Sequence, residues 1–186
     1  VWGLIACTLS FAVSIVLERV RGTLIRLRIA PITPGQLLAG KALACFITSA
    51  ALIGGLLLLA YLVFGVRPVR PLLLIPAIAA TSTCFVGIMM VVAAVSKTEA
   101  AANGLGWGVL MLAAMFGGGM IPLFLLKGWM QAASNFSPVK WSVLALEGAI
   151  WRGFTPAEMA RPCLILVAIG VAGFILGARG MARADG

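Results

Sequence analysis

The sequence contains no histidine, and only 10% of its 186 residues are charged. Its four cysteines each stand alone inside an apolar run, a spacing that predicts neither a disulfide framework nor a metal site. No apolar run contains paired carboxylates, and no nucleophile has a base at a plausible spacing. We therefore expect no catalytic site, no metal and no bound cofactor in this chain.

Charge is also missing from the middle of every long apolar run. Hydrophobic residues make up 62% of the chain and the mean hydropathy is +1.14, whereas a soluble domain is about half apolar and a quarter charged. This composition predicts an all-α, polytopic membrane protein. Carriers that use an ion gradient need ionisable groups at membrane depth, so the sequence argues against a proton or ion relay.

The uncharged runs predict five membrane-spanning helices, because about 20 apolar residues cross a hydrocarbon core about 30 Å thick. The predicted spans are approximately residues 1–17, 42–66, 72–95, 100–120 and 163–178. The first residue is a valine inside an apolar run. We expect residues 1–186 to be a single membrane domain whose N-terminal part, with one further span, is missing.

Three capping boxes predict where helices begin. They are Thr33 to Gln36, Ser96 to Glu99 and Thr155 to Glu158. The first predicts a helix that runs to about Phe64. Gly104 and Gly108 have the GxxxG spacing of close helix contacts, a weak signal in an apolar run.

The basic segment 18–31, ERVRGTLIRLRIAP, joins the first two spans and contains four arginines and one glutamate. On a helical wheel, an apolar stripe flanked by arginines predicts a helix lying on the membrane surface. The stripe is formed by Val20, Leu24 and Leu27. Ile25 and Ile29 point away from it and predict a docking face for a protein partner. An ordinary basic cytoplasmic loop is the alternative.

The cations explain the net charge of +9 without nucleic acid, because they lie in the connections between spans, where anionic headgroups attract them. Eight cations fall on the side of segment 18–31 and six on the other, which favours a cytoplasmic position for that segment. Gly35 to Lys41 has the glycine and lysine spacing of a phosphate-binding loop. Ala42 follows where a serine or threonine is required, so we reject a nucleotide site and expect Lys41 to reach the headgroups.

The region 122–153 mixes tryptophans and charged residues with apolar ones, which is typical of a membrane interface. Ser137 and Pro138 predict the start of a helix that Gly153 ends. Its length of roughly 22 Å is too short to cross, so it is predicted to be re-entrant or to lie on the surface. A salt bridge or solvation explains Glu147 better than a functional role.

A glycine triplet, Gly117 to Gly119, precedes this region and is followed by Pro122. Glycine and proline are the weakest helix formers, so the fourth span is predicted to weaken or break there, near the far membrane face.

Taken together, these segments resemble the permease subunit of a type-2 ATP-binding-cassette (ABC) exporter. The resemblance rests on ERVRGTLIRLRIAP, LLAGK, FGV, SKTEAA, GGGMIPLF and WMQAASNFSPVKWSVLALEGAIWRG, in the family's order along essentially the whole chain. It implies a multi-pass protein of the inner or plasma membrane whose five spans correspond to the second to sixth of six. It also implies a separate ATPase subunit, which would bind ATP and Mg²⁺, and a second permease protomer, identical or different. The substrate path would lie between the two protomers.

The resemblance also implies two functional regions. One is an ATPase-coupling elbow, which with the docking face comprises Glu18, Arg19, Gly22, Thr23, Ile25, Arg26, Arg28, Ile29 and Pro31. The other is an outer gate, which comprises Gly117, Gly118, Gly119, Pro122, Pro138 and Glu147. Ile25 stands where the family often has an acid. An apolar or amphipathic substrate is expected, and a drug, a lipid and a lipid-linked glycan all fit. A gradient-driven carrier or channel and a non-transporting membrane scaffold are the alternatives.

Overall fold

The structure, a computed structural model, describes residues 1–20, 34–120 and 128–184. These residues form helices and their connections, and no strand occurs among them. The helices of this part of the chain are α1 (Trp2–Val20), α2 (Pro34–Phe64), α3 (Pro71–Val95), α4 (Glu99–Phe116), α5 (Trp129–Ser134), α6 (Pro138–Ile150) and α7 (Pro156–Ala184). Five helices, α1 to α4 and α7, are long and apolar enough to cross a membrane. The prediction of an all-α polytopic bundle is therefore confirmed.

Helix α3 lies at the centre of the bundle and packs against α1, α2, α4, α6 and α7. Its side chains are apolar around most of the helix, which allows it to be buried on several faces. Phe85, Met89 and Met90 are fully buried there. Helix α2, by contrast, exposes much of its apolar surface, as expected of a helix that contacts lipid.

A glycine seam joins α3 to α7, the most extensive helix contact in the described residues. A Cβ atom at Gly177 would lie 2.6 Å from the Met90 carbonyl oxygen, and one at Gly173 would lie 2.8 Å from that of Gly87. The two backbones therefore touch where no side chain intervenes. Gly104 and Gly108 carry the GxxxG spacing noted above, but a Cβ atom on either would have nothing within 4 Å, so they do not form this contact.

Two helix ends differ from the sequence prediction. Helix α1 continues to Val20, so Glu18 and Arg19 belong to its last turn and do not begin a separate element. Helix α4 ends at Phe116, not near residue 120, because Gly117 is its C-cap.

The capping boxes have different outcomes. The prediction for Thr155 is confirmed, since its backbone N–H donates to the Glu158 carboxylate over 2.8 Å and its hydroxyl accepts from the Glu158 N–H. The Ser96 prediction is wrong: the N-cap of α4 is Thr98, whose hydroxyl accepts from the Ala101 N–H over 3.2 Å. Ser96 instead ends α3, and its own hydroxyl is buried. Thr33 lies outside the described residues.

Candidate functional site

Only the first residues of the basic segment 18–31 are described, and they lie at the end of α1. Glu18 and Arg19 are described, whereas the remaining elbow residues of the sequence prediction lie outside the described residues. These are Gly22, Thr23, Ile25, Arg26, Arg28, Ile29 and Pro31. In the sequence, the elbow lies between α1 and α2.

The two helices that flank the elbow are joined by an ion pair that the sequence did not reveal. The Lys41 ammonium lies 2.8 Å from the Glu18 carboxylate, and it also donates to the Ser14 hydroxyl over 2.8 Å. Ser14 and Glu18 are four residues apart, so they share one face of α1. Only 15% of the Lys41 side chain is exposed. The prediction that Lys41 reaches the headgroups is therefore wrong, because the lysine joins α2 to α1. We call this contact between Lys41 and Glu18 the clasp.

A tight turn follows α4 and packs directly against the start of α6. Gly118 has φ +83°, a backbone conformation that residues with a side chain rarely adopt. The Gly119 N–H donates to the Ala114 carbonyl over 2.9 Å. A Cβ atom on Gly117 would lie 2.6 Å from the Ser137 hydroxyl oxygen. The predicted break of the helix at the glycine triplet is confirmed. Pro122 lies outside the described residues.

Ser137 connects this turn to α6. It is the N-cap of α6, but its hydroxyl makes no cap hydrogen bond and donates instead to the Ala113 carbonyl of α4 over 2.6 Å. Pro138 occupies the first turn of α6, where the missing proline N–H costs no hydrogen bond. The structure thus brings Gly117 next to Ser137, the residue that precedes Pro138.

A polar cluster stabilises the junction between α5 and α6. The Lys140 ammonium donates to the Ser134 hydroxyl over 2.9 Å and to the Asn135 side-chain oxygen over 2.8 Å. The Trp141 indole N–H donates to the Asn135 carbonyl over 2.8 Å, and the Arg161 guanidinium lies 5.9 Å from the Trp141 ring centre. Burial lowers the pKa of Lys140 from its ordinary value. This cluster holds the short helix α5 against the bundle.

Glu147, the remaining residue of the predicted gate, lies apart from the glycine turn. It is nine residues from Pro138 along α6, or about 13 Å at the helical rise. Its carboxylate pairs with Arg152 over 2.8 Å, and both side chains are partly exposed. The structure therefore contains the salt bridge that the sequence favoured for Glu147, and it does not bring this residue to the other gate residues.

The interior of the described helices has little polar chemistry. Their charged residues lie near the helix ends or in the connections, and no aspartate, glutamate, lysine or arginine occupies the middle of a long helix. In the described ranges, no group of three or more histidine, cysteine or carboxylate residues could hold a metal ion.

Comparison with known proteins gives one family and one curated relative. The family described as "ABC-2 type transporter" matches residues 3–151. The chain is also similar to the linearmycin resistance permease protein LnrN of Bacillus subtilis (strain 168), with 26% identity over 175 residues. That match covers 94% of this chain but only 46% of the relative, so the chain spans about half the length of the relative. No solved structure matches.

Proposed function

Because this chain belongs to the ABC-2 type transporter family, we propose that it is part of a permease that exports an apolar or amphipathic compound by using ATP hydrolysed on a separate subunit. The family and the five apolar helices make it a multi-pass protein of the cell membrane. The family also implies an ATPase partner and, typically, a second permease protomer. The single observation that carries the proposal is the family match over residues 3–151.

The chemistry of the helices supports an external energy source. In the described residues, the middle of each long helix lacks a carboxylate, ammonium or guanidinium group of the kind that ion-coupled carriers use, which favours an energy source outside the bundle. A contact with a nucleotide-hydrolysing partner supplies the driving force instead, since a partner shifts the equilibrium between two permease conformations when it binds them differently.

The elbow between α1 and α2 is the proposed contact with this partner. Its basic and apolar residues suit a surface helix with an exposed second face. The clasp between Glu18 and Lys41 joins the two helices at their elbow ends. A displacement of the elbow would therefore move α1 and α2 together, and both carry that motion across the membrane because helices are stiff.

The opposite end of the bundle contains the proposed gate. A Cβ atom on Gly117 would lie 2.6 Å from the Ser137 hydroxyl oxygen and 2.7 Å from the Lys140 backbone nitrogen. Because the turn packs so closely against the start of α6, movement of α4 would be transmitted to α6. This arrangement supports a gate on the far side from the elbow. Glu147 is proposed to stabilise the end of α6 through its salt bridge with Arg152, and not to take part in the gate.

The substrate is proposed to be an apolar or amphipathic molecule. The described interior offers no charged side chain that would bind a small polar substrate. Drugs, lipids and lipid-linked glycans are therefore the proposed substrate classes. The name of the relative associates that protein with resistance to linearmycin, which supports removal of a compound from the cell.

Transport by inside-out vesicles tests the proposal. The full-length permease and its ATPase subunit are co-expressed, and uptake of a fluorescent amphipathic compound is measured with ATP and with a non-hydrolysable analogue. We expect uptake with ATP and none with the non-hydrolysable analogue. We also expect the ATP-dependent uptake to persist when an ionophore collapses the ion gradients. Uptake that stops with the ionophore would indicate a gradient-driven carrier. Absence of uptake for a panel of drugs, lipids and lipid-linked glycans would indicate a scaffold.

A further inference from the structure

A groove of about 500 Å³ lies between α2 and α3, at the end of the bundle away from the elbow. Its walls are almost entirely apolar, and they include Leu57 and Tyr61 of α2, Ile78 of α3 and Ile150 of α6. The connection between α2 and α3 closes one end of the groove. Leu58 and Tyr61, which line the groove on α2, are exposed, so the groove is open on this side in the described residues.

Arg67 gives that closed end a positive charge. The residue lines the groove, its side chain is exposed, and it forms no ion pair within the described part of the chain. The described lining of the groove contains no acid, Glu147 pairs with Arg152, and Glu158 accepts hydrogen bonds from Thr155. The charge of Arg67 is thus left without an acid to balance it.

The N-terminus of α3 adds to this positive potential. Pro71, the first residue of α3, also lines the groove, and the positive end of a helix dipole attracts anions. A cation and a helix N-terminus therefore lie at the same end of one apolar groove. This combination is complementary to an amphipathic molecule with an anionic head.

The length of the groove suits an extended chain. Along α2 it reaches from Tyr61 to Gly54, or about 10 Å at the helical rise, so it extends from the membrane interface toward the interior. Gly54 leaves this path open, because nothing lies within 4 Å of a Cβ atom built on it. An acyl chain meets these requirements, whereas an extended peptide segment would leave its backbone polar groups unsatisfied against apolar walls.

We propose that this groove binds one acyl chain of an anionic phospholipid from the surrounding membrane, with its phosphate beside Arg67 and the N-terminus of α3. The lipid fills the space between α2 and α3 and supports α2 where the protein itself gives it few contacts. The described residues that line the groove include none of the proposed elbow residues and none of the glycines of the turn after α4.

Two adjacent glycines provide a matched test of the groove. Gly54 lines it and Gly55 does not, and both have open space at the Cβ position. The full-length permease is purified in detergent, mixed with phosphatidylglycerol, and examined by native mass spectrometry. We expect the Gly54→Phe variant to lose the most tightly bound lipid and the Gly55→Phe variant to keep it. Equal retention or equal loss in the two variants would overturn the proposal, and equal loss is the result expected when a second protomer covers the groove.

Arg67 provides the test of the headgroup. Phosphatidylglycerol and phosphatidylcholine with identical acyl chains are compared on the wild-type permease, where we expect about a fivefold preference for the anionic lipid, as one surface cation provides. Arg67→Gln should abolish the preference while leaving phosphatidylcholine binding unchanged, and Arg67→Lys should preserve it. A wild-type permease with no preference, or an Arg67→Gln variant that keeps it, would overturn the assignment of the head to Arg67.

Discussion

Lys41 and Glu18 form an ion pair over 2.8 Å that closes the bundle at the point where the elbow leaves it. The pair joins the last turn of α1 to the first turns of α2, and Ser14 accepts a further hydrogen bond from the same ammonium. The helices on either side of the elbow are therefore coupled by a contact within the permease itself. A partner that moved the elbow would act on a connected pair of helices.

Breaking this clasp should weaken both stability and transport. Lys41→Met leaves the partly buried Glu18 carboxylate without its partner, and we expect a loss of about 1.5 kcal/mol, the lower value for a charged hydrogen bond, because Glu18 retains contact with water. Thermal unfolding in detergent measures the loss. Lys97→Met is the control, since Lys97 is exposed and makes no ion pair in the described residues. Recovery in the exchanged pair, Glu18→Lys with Lys41→Glu, would attribute the effect to the pairing, and a Lys41→Met variant as stable as the control would contradict it.

Replacing glycine with alanine should change the stability of the protein in opposite directions at Gly108, which lies in open space, and at Gly177, which lies in the glycine seam. Gly108→Ala should stabilise α4 by up to about 1 kcal/mol, because alanine is the better helix former and the site is open. Gly177→Ala should destabilise the protein by about 1–3 kcal/mol, because its methyl group would overlap the Met90 backbone. Thermal unfolding of the two variants in the same detergent measures the difference. A stabilising effect at Gly177 would mean that α3 and α7 are not in backbone contact.

The glycine turn should be required for transport but not for insertion. Gly118→Ala forces an alanine to φ +83°, at a cost of about 1–2 kcal/mol, and Gly117→Ala overlaps Ser137. We expect ATP-dependent transport to fall at least tenfold in the double variant, with a normal amount of protein in the membrane. Gly104→Ala, in open space on α4, is the control. Normal transport by the double variant would remove the gate assignment.

Topology follows from the five spans and can be measured directly. In a permease without its native cysteines, single cysteines at positions 26 and 98 should react with an impermeant maleimide only from the cytoplasm. Cysteines at positions 70 and 131 should react only from outside. Thr98, Arg70 and Gln131 are exposed in the structure, so accessibility does not limit the reaction. Reaction of positions 26 and 131 from the same side would exclude the arrangement.

The sequence predicted an all-α bundle with five long apolar helices, because an uncharged run of sufficient length has few other stable positions in a cell. It also predicted the start of α7, where the side chains of Thr155 and Glu158 each accept a hydrogen bond from the other residue's backbone N–H. These are local properties, and a local pattern can specify them.

Contacts between distant segments could not be predicted in the same way. Lys41 and Glu18 are 23 residues apart, and nothing in either neighbourhood identifies the other as a partner. The GxxxG spacing occurs at Gly104 and at Gly173 alike, yet only the second packs against another helix of this chain. Which glycine pair forms a contact depends on which helix lies opposite, a property of the whole bundle.

The claim at the centre of this account is that ATP hydrolysis acts on the permease through the elbow, and charge reversal there tests it most directly. Arg26→Glu with Arg28→Glu removes charge-assisted contacts of about 1.5–3 kcal/mol each, and Ile25→Asp with Ile29→Asp would bury unpaired charge against the partner. Lys97→Glu, on the same predicted membrane side, is the control. Substrate-stimulated ATP hydrolysis and export are measured together for the full-length permease reconstituted with its ATPase. We predict that both double variants insert normally but lose coupled hydrolysis and export, whereas wild-type rates in both would show that the elbow is an ordinary basic loop.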